Sequence, residues 1–550
     1  METMKVHHLN KQKSDIFRRV QRASLRSLGV ACVALAATAS AVAADKPVRG
    51  GTLVYPVHMG ETSTYDCQAG FQNLAFRLAP HYSTLVKLSV DKYPQVEPDL
   101  AQSWKVSDDG LRYEFSLHPN VKFHDGSALT SADVKATLDR LINPPEGVVS
   151  VRRAMYDDIK SIEAPNATTL VLNMKSPNSA ILPLLGVPYA CIYSAKLLAT
   201  DPSYPAKKIM GSGPFRFVRH TAGQDWVGER FEDYFKPGKP YLDGFRVLNT
   251  TQPGAVTALL AGQVHYTMNG QTPADAERVR TTRGDKTFFV GGERATPLHI
   301  LIAVNTQRGP LSDVRVRRAL TLAMDRYAGS RAMANLTPVH LNGGLSRPGS
   351  TFARSPQELE TLPGFGRDIA ASRQEARRLL AEAGQKNLKV VFVNRPQSTF
   401  WGVYLADQLR QIGVTVEHQV SDNVNARKKS GDYDLIVEAM PEYLDDPIVQ
   451  WSNFLPFDKN PANTTRSNDP QLEVLYNAQK REVNPEKRRV RVQEMEKYLI
   501  EQAYVLPMFW QAWRRGISTD VGGVVDMPSN FLNLDLSNYW LRSGGAQASN

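Results

Sequence analysis

At 550 residues the chain exceeds what a single hydrophobic core can fill, which points to two or more domains or lobes. Its 42% hydrophobic and 22% charged residues give an ordinary soluble globular composition. The formal charge of +11 does not argue for nucleic-acid binding: residues 1–43 hold seven Lys or Arg against two acidic residues, so the remainder carries +6.

The N-terminus reads as an export signal. Arg18, Arg19, Arg22 and Arg26 precede an apolar run that ends in Ala41-Val42-Ala43, giving a basic region, an apolar region and a small-residue cleavage site, with the cut expected after Ala43. The run is short for a bilayer span of roughly 20 residues. A lipoprotein would use Cys32, but Gly29-Val30-Ala31 suits that badly, and the residues after Arg19 fit a twin-arginine signal poorly. Cleavage leaves Cys67 and Cys191, either paired in an oxidising compartment or two buried thiols.

Residues 52–55 form a first buried strand after Arg49-Gly50-Gly51. Tyr82, Leu85 and Val86 follow in "HYSTLVKL". Trp104 and Val106, then Asp109-Gly110, then Leu111, Tyr113, Phe115 and Leu117 alternate about a turn, which predicts a hairpin. Thr130 and Asp133 make a capping box ahead of a helix carrying Val134, Leu138 and Leu141. His124 and Asp125 read as a turn at the hairpin-to-helix junction. A strand pair is expected over 157–175, then a helix-like stretch to Cys191. Gly211-Ser212-Gly213-Pro214-Phe215 is a tight turn into a strand, without the Lys-Ser/Thr of a phosphate loop.

Ile300, Ile302 and Val304 alternate as on a strand, and Val316, Leu320 and Ala323 recur at helical spacing behind Asp313, an N-terminal cap. Arg315, Arg317, Arg318 and Arg326 are expected mostly on the opposite face. Ser372 and Glu375 suggest a capping box for a helix that Gly384 stops. Strands at 388–393, 414–416 and 435–437 alternate with a helix bearing Leu405, Leu409 and Ile412, the pattern of a parallel or mixed α/β sheet. Asn484-Pro485 opens a last helix, "VLPMFW" follows as a strand, and residues 543–550 form a frayed end. No nucleophile elbow, H-E-x-x-H, C-x-x-C or Walker loop occurs, so no constellation supports an enzyme, a cofactor or a metal.

Several of these stretches carry a resemblance. "VNTQRGPLSDVRVRRALTLAMDR", "PDLAQSW", "FHDGSALTSADV" and the "GSGPF" turn are together similar to the solute-binding proteins of ABC importers for peptides, nickel and opines. One departure is His265, in "ALLAGQVHY", where the family usually has an acid.

The resemblance implies an α/β, two-lobed periplasmic binding protein (Venus-flytrap) fold with mixed sheets and a two-strand hinge. Lobe one would hold residues 44–308 with an inserted subdomain at about 90–210, lobe two 309–515, and 516–550 would return to lobe one. It implies a periplasmic protein, monomeric, that captures a peptide, opine, sugar or related solute and presents it to a membrane permease. A sensor docking on a membrane receptor is the alternative, and a secreted hydrolase a more remote one. In peptide-binding members an aspartate four positions before a proline pairs with the terminal ammonium. Here "PEYLDDP" puts Tyr443 at that position. Burying an ammonium beside no carboxylate costs on the order of 3–5 kcal/mol. Either Asp445, Asp446 or Glu442 takes over the role, or the ligand lacks a free amine. By the same resemblance Tyr82, Trp401, Tyr443 and Trp451 are candidate cleft aromatics and Asn269 a candidate polar contact.

Overall fold

The computed structural model describes residues 46–58, 60–89, 92–268, 270–441, 443–526, 529 and 534–544. The expected export signal, Glu442 and Asn269 lie outside the described residues, as does the tail from residue 545. Among the described residues no helix is long and apolar enough to cross a membrane.

Two four-stranded sheets are built before residue 250. In the first, Thr52–Val57 runs parallel to Gly244–Asn249, and Asp225–Arg230 and Phe215–Thr221 extend it antiparallel. The second is antiparallel, in the order Ala101–Val106, Arg112–Leu117, Thr169–Met174, Ile159–Asn166, and contains the expected hairpin. Helix Ser131–Ile142 begins at the Thr130–Asp133 capping box and buries Val134, Leu138 and Leu141. The double glycine of "GSGPF" answers to close packing. A Cβ on Gly211 would sit 2.1 Å from the His81 carbonyl oxygen, and one on Gly213 2.5 Å from the His81 carbonyl carbon. His265, in place of the usual acid, accepts from the Val54 N–H through Nδ1 at 2.9 Å.

Cys67 and Cys191 form a disulfide, with Cα atoms 6.2 Å apart. Beside it lies a buried ion pair, Arg140 Nη2 to Asp66 Oδ2 at 2.5 Å, and the Tyr193 hydroxyl donates to Asp66 Oδ1.

A six-stranded mixed sheet follows, in the order Val339–Leu341, Val505–Gln511, Thr296–Val304, Leu435–Pro441, Lys389–Asn394, Thr415–Val420. The last three strands run parallel, and helix Thr399–Arg410 makes the crossover between two of them. Ile300, Ile302 and Val304 pack with Val316 and Leu320 in one core. The opposite face carries Leu301, Ala303 and, on the neighbouring strand, Ile436, Glu438 and Met440.

Two local expectations change. The helix after Asp313 spans Val314–Leu322 and a second, Arg326–Met333, starts after a break capped by Asp325. Arg317 and Arg326 are consequently buried, because the break and its surroundings leave carbonyls to satisfy. Arg326 donates to the carbonyls of Thr321, Gly364 and Pro507, and Arg317 to those of Gln502, Leu311 and Ser312. The helix expected to start at Ser372 is Ile369–Glu382, capped by Asp368, and Glu375 pairs instead with Arg378.

The strands Thr296–Val304 and Val505–Gln511 are antiparallel neighbours, and just outside the sheet the same two chain segments pair again as Thr287–Gly291 with Arg514–Ser518. At the end of the outer ladder and just beyond it lie Gly291 and Gly292, with φ of 79° and 100°. A Cβ on Gly291 would meet the Trp513 carbonyl oxygen at 2.1 Å, so this double crossing requires glycine.

Candidate ligand-binding cleft

A cleft of about 380 Å³ lies against the open face of the six-stranded sheet. One wall comes from the early chain, with Phe71, Val151, Arg152 and Met155. The other comes from Leu301, Lys428, Glu438, Met440, Tyr443 and Phe454. Register explains the floor: Leu301 is paired with Glu438, and Met440 stands two residues on, so the three side chains share a face.

The charged groups are held by different means. Arg152 lies 3.4 Å over the Tyr189 ring and 5.2 Å from that of Tyr443, and its Nη1 donates to the Gly70 carbonyl at 3.0 Å. The two rings meet edge-on at 5.2 Å and 82°. Such a cation–π arrangement contributes about 0.5–2 kcal/mol and fixes the guanidinium without neutralising it. Burial raises both phenols, Tyr189 to about 12, so both stay neutral. Lys428 Nζ donates to Glu438 Oε2 at 2.5 Å. Phe71, just before helix Gln72–Leu78, is 67% exposed, an unusual position for a phenylalanine unless something covers it.

Of the candidate residues, Tyr443 lines this cleft. Its hydroxyl donates to Met155 Sδ, which joins the two walls. Asp445 and Asp446 are both buried in internal ion pairs and border a separate small cavity with Trp451. Asp445 Oδ2 accepts from Arg347 Nη2 at 2.6 Å. Asp446 accepts from Arg488 Nη1 and Nη2 at 2.8 and 2.6 Å and also caps helix Pro447–Trp451. Trp401 is core, stacked on Phe509 with ring centroids 5.9 Å apart. Trp451 is likewise core, 2% exposed. Tyr82 accepts from the Met210 N–H and packs edge-on against Tyr193. It borders a separate cavity of about 90 Å³ with Lys87, Asp99 and Asp535. Burial decides these cases, because a large aromatic reads alike in sequence whether it fills a core or lines a cleft.

No local pattern marks Phe71, Arg152, Lys428 or Glu438 in the sequence, since what places them together is tertiary. No group of three or more His, Cys, Asp or Glu side chains that could hold a metal occurs among the described residues.

Residues 95–461 match the middle part of the bacterial extracellular solute-binding proteins, family 5. The chain belongs to this family. It has the family's two-lobed α/β periplasmic binding fold, and members are the solute-binding components of ABC importers, not enzymes. A glutathione-binding protein of Pectobacterium atrosepticum is 30% identical over 329 residues, 59% of this chain and 60% of that protein's length. The structure of the periplasmic binding protein AgaA of A. tumefaciens R10, in complex with agropinic acid, matches with a TM-score of 0.73 and 26% identity, covering 89% of this chain and 99% of that one. The ABC transporter-associated periplasmic binding protein DppA of Helicobacter pylori, in complex with the peptide STSA, has the same fold, with a TM-score of 0.75 at 19% identity over 90% of this chain and 99% of that one.

Proposed function

We propose that this family 5 protein captures a small anionic solute derived from amino acids, such as a short acidic peptide or an opine-like conjugate, and delivers it to an ABC permease. The charge of the cleft carries this reading. Among the described residues Lys428 and Glu438 offset one another, which leaves Arg152 as a surplus positive charge available to a carboxylate. Phe71 supplies an apolar surface beside it. A volume of about 380 Å³ is at the small end for ligand sites and suits a di- or tripeptide better than a long chain. Glutathione and agropinic acid, named with the relatives, belong to this chemical class.

Because strand Thr296–Val304 is central to the six-stranded sheet, the boundary expected at 308 moves back to the crossing: lobe one comprises residues 44 to about 291 with the inserted subdomain, lobe two about 292–513, and the rest returns to lobe one. The doubled crossing at Gly291–Gly292 is where they swing together over the solute. The protein works as a monomer in the periplasm, after removal of residues 1–43.

The test is a thermal-shift screen of residues 44–550 with glutathione, agropinic acid, and acidic and neutral di- and tripeptides. A ligand at 100 times its dissociation constant adds about 2.7 kcal/mol, a readily visible rise in midpoint. Greater stabilisation by acidic than by neutral members is expected. If neutral peptides stabilised the protein as much as acidic ones, or no member of the set stabilised it, the proposal would be wrong.

A further inference from the structure

Resting on that reading, the geometry points to Glu438 as the group that recognises the positive or N–H-rich end of the solute, in place of the aspartate that Tyr443 displaces. Glu438 projects from the sheet face that floors the cleft, opposite Leu301. Only half of its carboxylate is used: Oε2 accepts from Lys428 Nζ, while Oε1 is buried and has no hydrogen-bond partner among the described residues. A carboxylate oxygen withdrawn from water and given nothing in exchange is unfavourable, and buried acceptors of this kind are rare in folded proteins. A ligand ammonium or amide N–H supplies the missing donor when the cleft is filled.

Among the described acids beside Tyr443, Asp445 and Asp446 are each held by an arginine, whereas Glu438 keeps one oxygen unused. Arg152 and Glu438 thus present opposite charges from opposite walls. A zwitterion is read in one orientation, its carboxylate toward Arg152 and its amine toward Glu438. Lys428 sets the selectivity of the pair: it keeps Glu438 from attracting bare cations, so only a solute that also satisfies Arg152 is held strongly.

The experiment compares γ-Glu-Cys-Gly, its N-acetyl derivative and its fully amidated derivative by isothermal titration calorimetry, on the wild-type chain and on Glu438→Gln, an isosteric change. For wild type the free-amine form should bind about 10- to 100-fold more tightly than the N-acetyl form, the range expected of a charge-assisted hydrogen bond. In Glu438→Gln that discrimination should vanish, while the preference for free carboxylates over the amidated form persists. Lys428→Met should strengthen binding of the amidated, cationic form, a second readout available if Glu438→Gln does not fold. Equal binding of free-amine and N-acetyl forms by wild type, or undiminished discrimination in Glu438→Gln, would overturn the assignment and leave solute capture standing. Binding of none of the three by wild type would overturn the assignment for this solute class, and the screen above would then decide the capture reading on its other members.

Discussion

Acid is expected to weaken this fold through His81. The ring is 0% exposed, its Nδ1–H donates to the Phe215 carbonyl at 2.8 Å, and its Nε2 accepts from the indole N–H of Trp226 at 2.9 Å. An indole nitrogen only donates, so the imidazole must be neutral with its proton on Nδ1. Protonating Nε2 would oppose two N–H groups and bury a charge. Burial is the largest cause that pulls the ring from 6.5 down to about 3. In the unfolded chain the ring keeps its ordinary value, so between those two pH values the unfolded state holds the extra proton and stability falls as pH falls. From pH 8 to pH 5 this residue alone should cost about 2 kcal/mol. Urea denaturation at both pH values, on wild type and His81→Gln, isolates the term. Glutamine can donate to Phe215 and accept from Trp226 without titrating. His124, lowered to about 4, and His299, lowered to about 3, remain in both proteins, so their shares cancel. The stability lost between the two pH values should be about 2 kcal/mol smaller in the variant. An equal loss in both would refute the tautomer and the reasoning built on it.

Replacing both Cys67 and Cys191 by serine opens a loop with a sequence separation of 124 and should cost about 5 kcal/mol of unfolding free energy, read from the urea midpoint. Asp446→Asn leaves Arg488 buried without its counter-charge and removes the cap of helix Pro447–Trp451; a loss of about 3–5 kcal/mol is expected. Arg488→Met in the same chain should recover part of it, and no recovery would mean that the cap matters more than the ion pair. Gly291→Ala forces a side chain into left-handed backbone against the Trp513 carbonyl and should cost about 1–3 kcal/mol, measured by calorimetry at neutral pH. Arg152→Met should weaken binding of acidic solutes roughly tenfold or more while leaving amidated analogues unaffected, as titration calorimetry would show.

Much of the architecture could be read from local pattern. The alternation of Ile300, Ile302 and Val304, the Thr130–Asp133 box and the Asn484-Pro485 start each depend on neighbours within a few residues, and each forms as expected. Reading failed where the partner is remote. Arg317 and Arg326 look like solvated helix residues until the carbonyls of Gln502, Pro507 and Gly364 arrive from elsewhere in the chain. Asp445 and Asp446 look available for a ligand until Arg347 and Arg488 arrive, 98 and 42 positions away. The cleft itself was legible chiefly at Tyr443, and there because it breaks a family pattern. Arg152, Lys428 and Glu438 carry no periodic or motif signal, since their proximity is a product of how the sheet and the early chain fold together.

The Cys67–Cys191 bond fastens the segment leading to Phe71 to the segment carrying Tyr189, and Arg152 is tied to both, through the Gly70 carbonyl and the Tyr189 ring. With these cysteines reduced, the aromatic and cationic side of the cleft loses its covalent tether, so purified protein kept in strong reductant should bind its solute more weakly than the oxidised form.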